Sequence, residues 1–175
     1  MVFTPLNREE LKEAVNDWII GPRGAFYRFG HISTWNVRNI TDMNNMFENA
    51  ENFNDDISNW DVSNVTTMES MFYNAYTFNA DLSKWNVGSV TNMSNMFNNA
   101  ENFNGNLSNW DVSNVTNMEF MFYDASKFNS DLFKWNTNKV TSMDAMFMHA
   151  KNFSGRGISN WVVSCVTNMS DMFHS

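Results

Sequence analysis

The side chains that could carry chemistry are few, and their spacing suits little of it. Three histidines, His31, His149 and His174, lie far apart, and no pair has the spacing of zinc ligands. The single cysteine, Cys165, forms no intrachain disulfide. It stands where Asn39, Asn64 and Asn114 stand in other repeats and reads as a tolerated substitution. Asp55, Asp56, Asp81 and Asp131 recur at comparable places, as a column of cation ligands would, but Asn79, Ala80 and Asn106 interrupt the charge. The calcium-binding G-G-x-G-x-D repeat is absent, as are G-x-S-x-G, the P-loop and G-x-G-x-x-G. The residues therefore point away from an enzyme, a metal centre and a cofactor.

What remains is a set of polar residues that return in columns. One runs through Thr34, Asn59, Lys84, Asn109, Lys134 and Asn160, and a second through Asn36, Asp61, Asn86, Asp111, Asn136 and Val162. A third holds Arg38, Ser63, Gly88, Ser113, Asn138 and Ser164. Short, amide-rich side chains of mixed charge suit hydrogen bonding to a polar protein surface or a glycan. The candidate ligand-binding residues are Asn36, Asn59, Asp61, Lys84, Asn86, Asn109, Asp111, Lys134 and Asn136, expected on a concave strand face. The alternative is a solvated sheet with cross-strand polar ladders, and modest variation between copies leaves both open.

The columns exist because the chain repeats. Trp35, Trp60, Trp85, Trp110 and Trp135 are spaced by 25 residues, and Trp161 follows after one inserted residue in Gly155-Arg156-Gly157, where the turn should bulge. A fixed period of this length is the mark of a solenoid. Each copy splits in two. Trp110 and Val112 are two apart with Asp111 between them, the alternation of a short strand. Val115, Met118, Met121, Phe122, Ala125 and Phe128 step by three and four, the spacing of a short helix. Thr116 precedes that stretch with Glu119 three residues on, the spacing of a capping box, and Thr41, Thr66, Thr91, Thr141 and Thr167 repeat the cap. Asn54, Asn79, Asn104 and Asn129, with Ser154, each follow a core Phe and should bond backbone in a ladder between coils.

The first 31 residues are not a repeat. Asn7 followed by Glu10 is a capping box, and Leu6 with Leu11 has the spacing of a hydrophobic staple. Leu11, Ala14, Val15, Trp18 and Ile19 form an amphipathic stripe that Gly21-Pro22 ends. Residues 5–20 read as a capping helix, and 21–31 as a linker whose Phe26, Tyr27 and Phe29 help cover the first coil. The fold class expected is an α/β solenoid. It would be a leucine-rich-repeat-like right-handed coil of six 25-residue repeats over 32–175, each a short strand plus a short helix, with 1–31 as the amino-terminal cap.

The consensus FN-x-D-L/I-S-x-W-D/N-V-S-N-V-T-N-M-x-x-MF-x-x-A, with Leu107, Trp110 and Val112 at the three leucine places, resembles the repeat of BspA-type leucine-rich-repeat surface proteins. The match runs over 32–175. The resemblance implies a non-enzymatic surface or adhesion protein that binds a protein or glycan. This chain shows no signal peptide, lipidation cysteine or wall anchor of the kind secreted members carry.

Bulk composition agrees. Sixteen Phe, 14 Met and seven Trp indicate a core of large, polarisable side chains. A net charge of −8 is the wrong sign for tracking phosphates, so nucleic acid is not an expected partner. No apolar run reaches the ~20 residues of a membrane span. At the carboxyl end Met169, Met172 and Phe173 are expected to be covered on one side only. Either the natural chain continues, or two such ends pair in an end-to-end homodimer. A structural spacer or self-assembling unit is thus the alternative to the binding module.

Overall fold

The computed structural model describes residues 2–174. Helix α1 spans Arg8–Ile20, and Asn7 caps it by accepting the Glu10 amide at 2.9 Å. The Glu10 carboxylate accepts from the Leu6 amide at 2.7 Å, one residue earlier than a capping box would place it. Leu6 is 81% exposed, so the expected staple to Leu11 does not form. Leu11, Ala14, Val15 and Trp18 are buried, while Ile19 stays at the rim. The expected linker is instead a second helix, α2 (Pro22–Phe29), with Pro22 in its first turn, where the missing amide hydrogen costs nothing. Phe29 meets Phe3 at 4.7 Å and Trp35 at 6.0 Å, covering the first coil, whereas Phe26 and Tyr27 face outward.

The repeats do not build the expected α/β solenoid. Among the described residues they contain no strand and no α-helix; α1 and α2 are the only α-helices, and Ile32–Thr34 and Ile158–Asn160 are single 3-10 turns. The stretch expected to be helical is a ribbon of turns. The amides of Met46, Glu48 and Ala50 bond back three residues, to the carbonyls of Met43, Asn45 and Phe47. The amides of Met43, Asn45, Phe47 and Asn49 leave the coil and donate to Thr67, Glu69, Met71 and Tyr73 of the next, at 2.8–3.1 Å. A helix would need every one of these residues near φ −63°. Asn45 and Asn49 instead have φ +58°, and the same two places are left-handed in later coils, at Ser70 and Asn74, Asn95 and Asn99, Phe120 and Asp124. One left-handed residue in four turns alternate amides out of the coil and hands them to the neighbour.

The strand half is corrected in the same way. Single-residue parallel bridges join Asp42, Thr67, Asn92, Asn117, Ser142 and Asn168 in one column, and no sheet grows from them. Among the described residues, no backbone hydrogen bond links one Trp-x-Val segment to the next. The indole N–H groups do so instead. Trp60, Trp85, Trp110 and Trp135 donate to the carbonyls of Ile32, Ile57, Leu82 and Leu107, each 28 residues back, at 2.9–3.1 Å. The threonine hydroxyls are not helix caps either: Thr66, Thr91, Thr116, Thr141 and Thr167 each donate to the threonine carbonyl of the coil before.

The interior is one apolar column running from α1 to Met172. Phe47, Phe72, Phe97, Phe122, Phe147 and Phe173 stack at 5.3–5.8 Å, and a second ring from the same coil lies about 4 Å away, as Phe78 does on Phe72. The Asn column after the second ring bonds as its spacing predicts, with Asn54, Asn79 and Asn104 side chains accepting the amides of Asn79, Asn104 and Asn129 at 2.7–2.9 Å. The inserted residue is absorbed at Gly155 and Gly157, both left-handed, where Arg156 accepts the Leu132 amide. A Cβ on Gly157 would collide with the Phe133 nitrogen, so only glycine fits there.

Candidate functional site

Burial alternates along each Trp-x-Val segment, and this alternation puts the candidate residues on one face. Trp35 and Val37 are buried with Asn36 exposed between them, and the pattern returns at Trp60, Trp85 and Trp110. Asn36, Asn59, Lys84, Asn86, Asn109, Asp111, Lys134 and Asn136 are exposed and Asp61 is half-buried. The face is therefore formed, but by turns and not by strands.

The middle column is not free to move. Asn36, Asp61, Asn86, Asp111 and Asn136 each accept, through Oδ1, the backbone amide two residues on, at 3.0–3.3 Å. These are Asx-turns, which an Asn or Asp side chain closes in place of a backbone carbonyl. The Ser63 hydroxyl adds a bond to Asp61 at 2.6 Å and holds its carboxyl below the ordinary value, with the Ser63 amide acting in the same sense. The hydroxyl and amide of Ser113 lower Asp111 likewise. One polar atom per coil is thus committed to the fold, and the second, Nδ2 of Asn or Oδ2 of Asp, is carried on a side chain whose rotamer is already fixed. Lys134 lies against Asn109 at 2.8 Å, which ties two candidate residues of the outer column together. Arg38 reaches Asp61 at 3.7 Å. Arg38, Lys84 and Lys134, with the amides around them, make the face mixed in charge rather than acidic.

A second surface escaped sequence reasoning. A cleft of about 530 Å³ opens between α1, α2 and the first coil, lined by Trp18, Pro22, Arg23, Phe26, Tyr27, His31 and Asp55. Tyr27 is 89% exposed and Phe26 51%, and their rings meet edge to face at 6.2 Å. On the cleft wall the Trp18 indole donates to Asp55 at 2.7 Å. The His31 ring lies 5.1 Å from Trp18, with Nδ1 engaged by Ser33, so Nε2 is left for other partners. Aromatic walls with a few polar groups are the ordinary make-up of a small binding site. The cleft joins residues 37 positions apart, Trp18 and Asp55, and no local spacing announces that. Two adjacent outward aromatics on a surface helix, Phe26 and Tyr27, were the available signal.

The described residues hold no group of three or more His, Cys, Asp or Glu side chains placed to bind a metal, and no helix long and apolar enough to cross a membrane. Cys165 is exposed and unpaired, beside no other described cysteine. What the geometry defines is a repeat protein: stacked coils, a helical amino end, a columnar polar face and an aromatic cleft.

The chain belongs to a family described as Mycoplasma protein of unknown function, DUF285, whose model matches it twice, over residues 23–130 and 80–175. The two overlapping matches reflect the repeat, since a model of several coils fits in more than one register. No curated protein and no solved structure matches the chain.

Proposed function

We propose that this is a non-enzymatic interaction module that presents the Asx-turn column to a protein or glycan ligand. The observation that supports this is the fixed rotamer of Asn36, Asp61, Asn86, Asp111 and Asn136. Ordering a side chain at an interface costs about 0.5–1.5 kcal/mol, and groups already held by the fold avoid that cost. The indoles flanking the column stack from coil to coil, Trp35 on Trp60 at 6.3 Å, so the column offers one hydrogen-bonding atom per coil to an extended chain lying across the coils. The resemblance to BspA-type leucine-rich-repeat surface proteins adds a surface or adhesion role to this reading. Glycan-array screening together with pull-down from host-cell extracts tests it. Asn59→Lys with Asn109→Lys, two exposed candidate residues beside the column that close no turn, should abolish any binding found while leaving the unfolding midpoint close to that of the parent protein. Binding that survives the lysine pair would remove this face from consideration.

The aromatic cleft is a second contact surface for the same role, favoured by the exposure of Tyr27 and Phe26. Tyr27→Ala with Phe26→Ala separates it from the column, because both rings are largely outside the core.

A further inference from the structure

The aromatic cleft does not stop at Asp55. A second hollow of about 280 Å³ shares Trp18, Pro22 and Asp55 with it and adds Asn49, Glu51 and Asn52 of the first coil. The two meet at the Trp18–Asp55 bond and form one trough, aromatic towards Tyr27 and polar towards Asn49. The polar end is built from ladder donors that the first coil leaves open. Asn99 Nδ2 donates to Asn74, and Asn74 Nδ2 to Asn49, both at 2.8 Å. Asn49 Nδ2, at the head of that ladder, meets no acceptor among the described residues. The amides of Thr77, Asn102, Lys127 and Asn152 each donate to the coil before, at 3.1–3.2 Å. Asn52 holds the same place in the first coil, where the residue 26 positions back is Phe26, and the Phe26 carbonyl is taken by the Gly30 amide at 2.9 Å. The Asn52 amide makes no hydrogen bond among the described residues, and its side chain is exposed.

Acceptors lie among these donors. Asp55 is half-buried; its Oδ2 takes the Trp18 indole, and Oδ1 takes no donor from the described residues. The Glu51 carboxylate is exposed in the same hollow, and His31 Nε2 and the Arg23 guanidinium line the aromatic end. A hydroxyl both donates and accepts, so interleaved donors and acceptors match a row of hydroxyls better than a group of one polarity. Charge narrows the class. Arg23 opposes a cation among the rings, and Asp55 with Glu51 opposes an anion. A neutral ligand with one apolar face and several hydroxyls is a pyranose sugar. We infer that the trough binds a neutral oligosaccharide. One ring lies on Tyr27, 89% exposed, with Phe26 at its edge, and the next sets its hydroxyls against Asn49, Asn52 and Asp55. A cleft of about 530 Å³ lies within the size range of small-ligand sites. The inference gives the cleft a ligand class and rests on its reading as a contact surface, independently of the Asx column.

An array of neutral, sialylated and sulfated oligosaccharides is probed with the whole chain, and the neutral trisaccharide that binds tightest is measured by calorimetry. Neutral glycans should bind in preference to charged ones. Tyr27→Ala should weaken binding by roughly tenfold, while Tyr27→Phe, which keeps the ring, should not. Asp55→Asn keeps an acceptor for the Trp18 indole but turns the open oxygen into a donor, and should also cost roughly tenfold. Asn52→Asp reverses the exposed donor without touching Trp18 and should weaken binding even if Asp55→Asn disturbs the fold, which tryptophan fluorescence reports. Asn59→Lys with Asn109→Lys, on the columnar face, should leave the trisaccharide affinity unchanged. No neutral glycan bound, a preference for charged glycans, or binding that survives both Tyr27→Ala and Asn52→Asp would overturn the inference. A protein partner lost with Tyr27→Ala while no saccharide binds would overturn it too, yet leave the cleft a contact surface.

Discussion

Replacing Asn95 by alanine separates a helix from a turn ribbon by the sign of its effect. In a helix the change would be favourable, because alanine exceeds asparagine by about 0.5 kcal/mol in helix propensity. In this structure Asn95 has φ +58°. A left-handed backbone costs an L-residue about 1–2 kcal/mol, and asparagine is among the few side chains that relieve it by bonding locally. Its Oδ1 also accepts the Asn98 Nδ2 at 2.8 Å, and Asn98 is buried, so truncation leaves a donor short of a partner. An unsatisfied buried group adds about 1–3 kcal/mol. The sum is a destabilisation of about 2–5 kcal/mol, opposite in sign to the helix expectation and several times larger. Urea unfolding followed by tryptophan fluorescence measures it, with Asn95→Gly as the control that relieves the backbone while losing the side-chain bond. A midpoint for Asn95→Ala at or above that of the parent protein would refute the left-handed assignment and the ladder built on it.

The same column predicts that Ser70→Asn stabilises by about 0.5–1 kcal/mol, since Ser70 has φ +53° between coils that carry asparagine there; an unchanged unfolding midpoint would count against it. Trp110→Ala should cost about 3–5 kcal/mol, and Trp161→Ala distinctly less, because Trp161 is only half-buried and its indole bond is 3.4 Å against 3.0 Å; equal losses in denaturation would contradict the stacked interior. Asp61 and Asp111 are lowered by their serines, Asp56 by the Ser58 hydroxyl and amide, and Asp81 by the Ser83 amide and hydroxyl. A carboxyl lowered on folding adds stability at neutral pH that is lost as pH falls through the range below about 4. Asp61→Asn with Asp111→Asn keeps both turn acceptors and should flatten that acid limb without lowering stability at neutral pH, as read from unfolding midpoints between about pH 2 and pH 7. Gly157→Ala should disrupt the turn between the fifth and sixth coils, seen as lost amide protection at Leu132 and beyond while the first four coils keep theirs.

The period, the inward Trp and Val, and the Asn ladder after each core Phe could all be read from the sequence because each depends on residues one coil apart. The error lay in the second half of the repeat. Ile40, Met43, Met46, Phe47, Ala50 and Phe53 recur at three and four residues, which a helix explains, but so does a run of turns that each close over three residues and point the same way. The sign against the helix was in the polar residues between them: Asn45, Asn49, Asn74, Asn95 and Asn99 sit where a left-handed backbone is required, and asparagine is poor in helix interiors. The strand half failed for a related reason. Alternation of Trp and Val fixes which side faces the core, but not whether neighbouring backbones pair, and Asp61-Val62-Ser63 is an Asx-turn sequence as much as a strand. The candidate face was legible because exposure follows from alternation. Its rigidity was not, because that depends on which atom of each Asn and Asp the backbone claims.

The two edges of the turn ribbon bear on the history of such chains. Because every coil meets its neighbours through the same pair of edges, a unit copied or lost whole leaves both junctions chemically unchanged. Unequal crossing-over between copies would therefore yield proteins of different reach that fold at once, with no compensating substitutions. Only the amino end, where Arg8 and Lys12 of α1 donate to the carbonyls of Asn44, Asn45 and Met46, would resist such shuffling.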